Sequence, residues 1–207
     1  MEDIVAKLDS LTISKEKVLY YSIAFDNYKD ILNLVRNTLL ESSDNLSETY
    51  TKIGSSFELF DGIINELDKQ KILDKFSHCI DKLKEYENFI IYENNFYTVN
   101  PEFHITTLFT SGKPHEKTLE LEEQVGKKVN VKINKLGISP NFIVLGIESI
   151  KFEDNKDAAY YGNPVKHITI ALNKTGKKVL PKDSYTALSD GRTIVVDYSM
   201  DAKCSKV

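Results

Sequence analysis

Apolar and polar positions follow two rhythms along the chain, and the change from one to the other marks its elements. "KVLYYSIAF" (17–25) is rich in aromatic and β-branched residues and reads as a buried strand. "DNYKDILNLVRNTLLESSD" then places apolar residues at helical spacing, with Asp26 or Asn27 as the cap. "NLSETYTKIGSS" (45–56) has loop composition, and the segment after it returns to helical spacing in an acidic block near 55–90. "FIIYENNFYTVN" is a hairpin that turns at Glu93-Asn94-Asn95.

From 103 onward the elements shorten. "FHITTLF" is a strand, "KPHEKTLELEEQVG" a short helix closed by Gly126, and "KKVNVKINKLGI" and "NFIVLGIESIKF" are strands joined through Ser139-Pro140-Asn141. "EDNKDAAYYGNP" is a loop that feeds the strand "KHITIAL". "LPKDSYTALSDG" is a brief helix or turn, and "RTIVVDYSM" a last strand. The order predicts an α+β fold in one domain over 1–207, with the acidic helical block as an insertion. The paired HIT strands suggest two related lobes facing one another.

Composition narrows the class. A chain of 207 residues that is 41% hydrophobic can bury a sizeable core. No apolar run is long enough to span a bilayer, and "MEDIVAKLDSL" is acidic where a secretory signal is basic, so the expectation is a cytoplasmic protein with no membrane partner. Cys79 and Cys204 lie far apart without CxxC spacing, which predicts reduced thiols. The net charge of −4 is unevenly spread. Residues 1–102 carry 11 basic and 19 acidic side chains, and 103–207 carry 16 and 12. A polyanion therefore prefers the second half, although the excess is smaller than long duplex nucleic acid demands.

The chemistry concentrates in the two HIT strands. Because side chains alternate across a strand, His167 and Thr169 share one face of "HITIAL" with Ala171, while Ile168, Ile170 and Leu172 take the other. "HITTLF" divides likewise, with His104 and Thr106 opposite Phe103, Ile105, Thr107 and Phe109. An imidazole and a hydroxyl two residues apart stand about 6–7 Å apart along the strand, close enough to touch one small anion. Two such pairs across a cleft would surround a phosphodiester. One imidazole takes a proton from water, the other protonates the departing oxygen, and the hydroxyls bind phosphoryl oxygens. This scheme calls for no cofactor and no metal. A His-x-Thr pattern alone is common by chance. The repeated isoleucine and the matching strand settings give this pair its weight.

His104-Ile-Thr106 and His167-Ile-Thr169 resemble the marks of the two-histidine (2H) phosphoesterase superfamily, and the region from "FHITTLF" onward is most similar to the cyclic phosphodiesterase modules of RNA-repair and tRNA-splicing ligases. The resemblance implies a two-lobed, pseudo-symmetric fold with antiparallel sheets lining a central cleft and helices outside. It implies hydrolysis of RNA 2′,3′-cyclic phosphate ends. The alternatives are degradation of 2′,5′-linked or cyclic oligonucleotides, or a non-catalytic RNA-end binding module. By analogy His104 is the acid, His167 the base (roles that can be exchanged), and Thr106 and Thr169 hold the phosphate. Partners are RNA ends or short oligonucleotides; no oligomeric state is read.

Three further residues are candidates for substrate binding. Lys113 and Lys174 each follow a HIT strand, and Tyr161 lies beside Tyr160 in the loop before His167, where a ring can stack on a base. Solvated lysines and loop packing are the competing readings. Tyr20, Tyr21 and Phe25 are expected in the core. His78 and His115 lack metal-ligand spacing and are expected to be structural or superficial. "TSGKP" and "NKTGKK" lack the glycine pattern of a phosphate-binding loop, so no nucleotide triphosphate is expected.

Overall fold

A computed structural model describes residues 17–42, 50–52, 89–92, 95–174 and 179–207. Within them the chain runs β1 (Tyr20–Ala24), α1 (Tyr28–Ser42), β2 (Tyr50–Lys52), β3 (Phe89–Tyr92), β4 (Asn95–Val99), β5 (His104–Phe109), α2 (Thr118–Glu122), β6 (Lys128–Ile138), β7 (Phe142–Lys151), β8 (His167–Leu172), a 3-10 helix (Pro181–Leu188) and β9 (Arg192–Lys206). The acidic helical block, apart from its last two residues, and Cys79 and His78 lie outside the described residues, as do Glu93 and Asn94 of the expected turn.

The strands form a nine-stranded sheet in the order β2-β3-β4-β8-β7-β6-β9-β1-β5. Every pairing is antiparallel. Among the described residues this is an α+β arrangement, mostly sheet with few helices. The 45–56 segment departs from its expected loop, because Tyr50–Lys52 pairs with Lys52 opposite Phe89. Backbone N–H and C=O groups pair along an edge whatever the side-chain pattern, so loop-like composition does not forbid it.

The core sits where α1 covers the sheet. Ile31, Leu32, Val35 and Leu39 are the buried stripe of α1. They pack with Ile23, Val131, Ile133 and Met200 of the strands. Each such side chain contributes about 1.5–3 kcal/mol by leaving water. The helix begins where Asn27 expects it to, with the Asn27 carbonyl accepting from the N–H of Asp30 and Ile31.

One feature of the topology brings distant strands together. Val99 of β4 pairs with Ala171 of β8, and the four residues 100–103 then lead directly to His104 of β5. A connection of that length reaches at most about 3.5 Å per residue. β5 is therefore held near β8, although five places separate them in the strand order. The sheet curls to satisfy this, and β5 packs against β8.

Both HIT strands carry a bulge at the same point. In β5, Leu108 and Thr106 pair with consecutive residues Tyr21 and Ser22, so Thr107 is extra. In β8, Ala171 and Thr169 pair with consecutive residues Ile143 and Val144, so Ile170 is extra. Each bulged residue follows the motif threonine directly. Each also offers its carbonyl to a loop: Thr107 accepts from Tyr161 N–H at 2.7 Å, and Ile170 from Asn100 N–H at 2.9 Å. An inserted residue shifts the alternation by one. This is why Phe109, which strict alternation puts opposite His104 and Thr106 with buried Ile105, is instead 67% exposed.

Candidate active site

The two motifs open onto one cavity of about 730 Å³. His104, Thr106, His167 and Thr169 all line it, together with Tyr20, Asn100, Glu102, Phe109, His115, Tyr161 and Lys182 among others. The short 100–103 connection supplies much of one wall. Asn100 donates from Nδ2 to the Thr169 carbonyl at 2.9 Å, while its own carbonyl accepts from the Tyr28 hydroxyl at 3.1 Å. Phe103 stacks on Tyr28 with ring centroids 4.5 Å apart.

His104 is half-buried and lies flat against Tyr20, with centroids 5.3 Å apart and planes 23° from parallel. Burial lowers its pKa, opposed by the carboxylate of Glu102. Tyr20 was expected in the core. It belongs to the wall of the site, and burial followed by the charge on Glu102 raises its phenol.

His167 is more enclosed, at 9% exposure. Its Nδ1 lies 2.8 Å from the Val165 carbonyl and its Nε2 3.0 Å from Ser184 Oγ. A carbonyl only accepts, so Nδ1 carries the hydrogen and Nε2 of the neutral ring carries the lone pair. Ser184 Oγ is in turn 2.6 Å from Thr169 Oγ1. Burial lowers the pKa of His167, the bond to Val165 works the other way, and the charge of His104 lowers it further. That last effect places the two imidazoles within electrostatic reach of each other.

The loop before β8 closes the cavity from the side. Gly162 sits so near the Thr106 carbonyl that a Cβ would stand 2.4 Å from its oxygen. Tyr161 hydrogen-bonds Glu120 through its hydroxyl, and Lys117 Nζ lies 5.3 Å from the centre of its ring. Gln124 Oε1 accepts from Ala159 N–H at 3.1 Å, which fastens the same loop to the α2 region.

The sequence-predicted residues therefore divide. Both His-Ile-Thr motifs and Tyr161 meet at the cavity, whereas Lys113 and Lys174 are exposed and outside its lining. Lys182 is the lysine that lines it. His115, expected to be structural or superficial, is exposed but borders the cavity, with Nδ1 accepting the Lys117 N–H at 3.2 Å. Asn100, Glu102, Lys182 and Ser184 sit in no motif; for Asn100 and Glu102, nearness in sequence to His104 is the signal that could have found them. Among the described residues no three His, Cys, Asp or Glu side chains gather as a metal site, and no helix is long and apolar enough to cross a membrane.

No protein-family model matches the chain, and no curated protein matches it. Among solved structures it is similar to a fungal RNA kinase, at 16% identity and a TM-score of 0.43, over 97% of this chain and 47% of that one. This chain thus spans about half the length of that protein. A likeness at this level assigns no activity.

Proposed function

We propose that the protein is a phosphodiesterase of the two-histidine kind that opens RNA 2′,3′-cyclic phosphate ends without a metal ion. The observation that carries this reading is that the pair His104 and Thr106 and the pair His167 and Thr169, about 60 residues apart in sequence, border one cavity. The two-lobed pseudo-symmetric plan implied by the resemblance is part of the proposal. The matching bulges after Thr106 and Thr169, each with its carbonyl bonded to a loop, support it.

In the reaction, the oxygen of water attacks phosphorus while neutral His167 acts as the base, taking up the proton through the hydroxyls of Thr169 and Ser184, the latter bonded to its Nε2. Protonated His104 gives its proton to the ribose oxygen as that P–O bond breaks. One P–O bond forms and one breaks, and the proton count is conserved between the two imidazoles. Thr106 and Thr169 supply hydrogen bonds to the phosphoryl oxygens as charge builds there. Exposed Phe109 and half-buried Tyr161, both on the lining, offer rings for a base, and Lys182 offers positive charge for a phosphate.

The test is turnover by purified protein in EDTA of a 2′,3′-cyclic nucleotide, an RNA carrying that end, and 2′,5′-oligoadenylate. Turnover of the first two, lost in both His104→Ala and His167→Ala, is the expected result. Turnover of the last alone would assign the oligonucleotide-degrading activity instead. Tight RNA-end binding with no turnover would make the protein a binding module.

A further inference from the structure

Ser184 is fully buried in the 3-10 helix, yet its hydroxyl joins His167 to Thr169. A serine 3.0 Å from a histidine whose other nitrogen is held by a carbonyl has the look of a nucleophile and its base. Burial rules this out: Ser184 has no exposed surface and does not line the cavity. Its single proton must serve two neighbours, and that constraint defines a different role.

With Nδ1 donating to Val165, neutral His167 can only accept at Nε2. Ser184 therefore gives its proton to Nε2 and accepts from the Thr169 hydroxyl, which leaves Thr169 with only lone pairs for the cavity. When His167 is protonated, every bond in the chain turns round. Nε2–H donates to Ser184, Ser184 donates to Thr169, and the Thr169 proton is released toward the cavity.

We infer that Ser184 is a positioning residue that couples proton uptake by His167 to the direction of the Thr169 hydroxyl, so that the site offers a donor to a phosphate-class anion when His167 is charged. Because Ser184 occupies Nε2, a proton arriving from the cavity passes along the chain. It is taken up at Thr169 Oγ1, the proton of Thr169 moves to Ser184 Oγ, and that of Ser184 moves to Nε2. Each O–H bond broken is matched by an O–H or N–H bond formed. The donor then appears as phosphoryl charge grows, which favours the transition state over the bound ground state. The inference rests on the proposed phosphodiesterase only for the identity of the anion. Of the other groups nearby, the charge of His104 acts on His167, Tyr185 of the 3-10 helix lies 6.1 Å away between centroids, and Glu102, His115 and Lys182 share the cavity lining.

The experiment follows the ring resonances of His104 and His167 by NMR as pH is varied, with and without inorganic sulfate, and needs no turnover. In the wild type, sulfate raises the His167 midpoint by about one unit, and by reciprocity sulfate binds about tenfold more tightly to the protonated form. In Ser184→Ala and Ser184→Cys the shift falls to half or less, while the response of His104 to sulfate is unchanged and reports that the anion is still bound. Thr169→Val, which keeps the side-chain shape, gives the same loss if either serine variant fails to fold. A His167 shift as large in these variants as in the wild type means that charge attraction alone acts, and overturns the inference. So does a wild-type protein in which neither histidine responds to sulfate. Failure of the phosphodiesterase reading would appear separately, as absent turnover with the sulfate coupling intact.

Discussion

Gly162 and Thr106 meet backbone to backbone: the glycine lies where any Cβ would stand 2.4 Å from the threonine carbonyl oxygen. The contact seats the loop before the second motif against the strand of the first. Gly162→Ala must push them apart, at a cost of about 1–3 kcal/mol in stability. A loss of at least about tenfold in kcat/KM is expected from the displaced loop, because small misplacements are costly in a positioned site. Thermal unfolding and steady-state kinetics check both.

His104→Ala and His167→Ala each remove one proton-transfer partner. Each should lower kcat on a 2′,3′-cyclic nucleotide by about a hundred- to ten-thousand-fold. Circular dichroism should show both variants folded. Activity within threefold of wild type in either would remove that histidine from the mechanism.

Both imidazoles are lowered by burial, so the profile of kcat/KM against pH should be a bell centred below the value of about 6.5 of a free imidazole. Stability has its own sign. A histidine whose folded pKa is depressed binds fewer protons than the unfolded chain, so stability is complete above the unfolded value and declines as pH falls toward the folded one. The melting temperature should therefore drop as pH is lowered from about 7 to 5, and His104→Gln should reduce that drop by removing one of the two groups. An unchanged pH dependence in His104→Gln would contradict the burial of that ring as the cause.

Phe109 offers an exposed ring on the cavity lining. If a base stacks on it, Phe109→Ala should raise KM for an RNA end by about 5- to 150-fold, the equivalent of 1–3 kcal/mol, with kcat little changed. Turnover of a small cyclic phosphate without a base should not respond. Equal losses on both substrates would point to a structural role for the ring.

Much of the strand framework was legible because it is written in alternating apolar positions, as at the start of β6, or in a continuous apolar run of strand length, as in β7. "KVNVKINKLGI" and "FIVLGIESIK" became β6 and β7 as read, and the Ser139-Pro140-Asn141 turn joins them. Phe109 was misplaced because a bulge is a matter of pairing: nothing in "HITTLF" says that Thr107 will have no partner. Tyr20 departs from its expected place in the core for a related reason. Whether a ring faces core or cleft depends on how far the sheet curls, and that is fixed by the 100–103 connection between strands that composition treats separately. The His167–Ser184–Thr169 chain was invisible for the same cause, since seventeen residues and a change of element separate Ser184 from the ring it touches.

The walls of the cavity differ in how they are held. Among the described residues, β8 is bonded on both sides, to β4 and β7, whereas β5 ends the sheet with β1 as its one strand neighbour. His167 thus stands on a strand paired along both edges, while the place of His104 depends on β1 and on the bond from Tyr161 N–H to the Thr107 carbonyl.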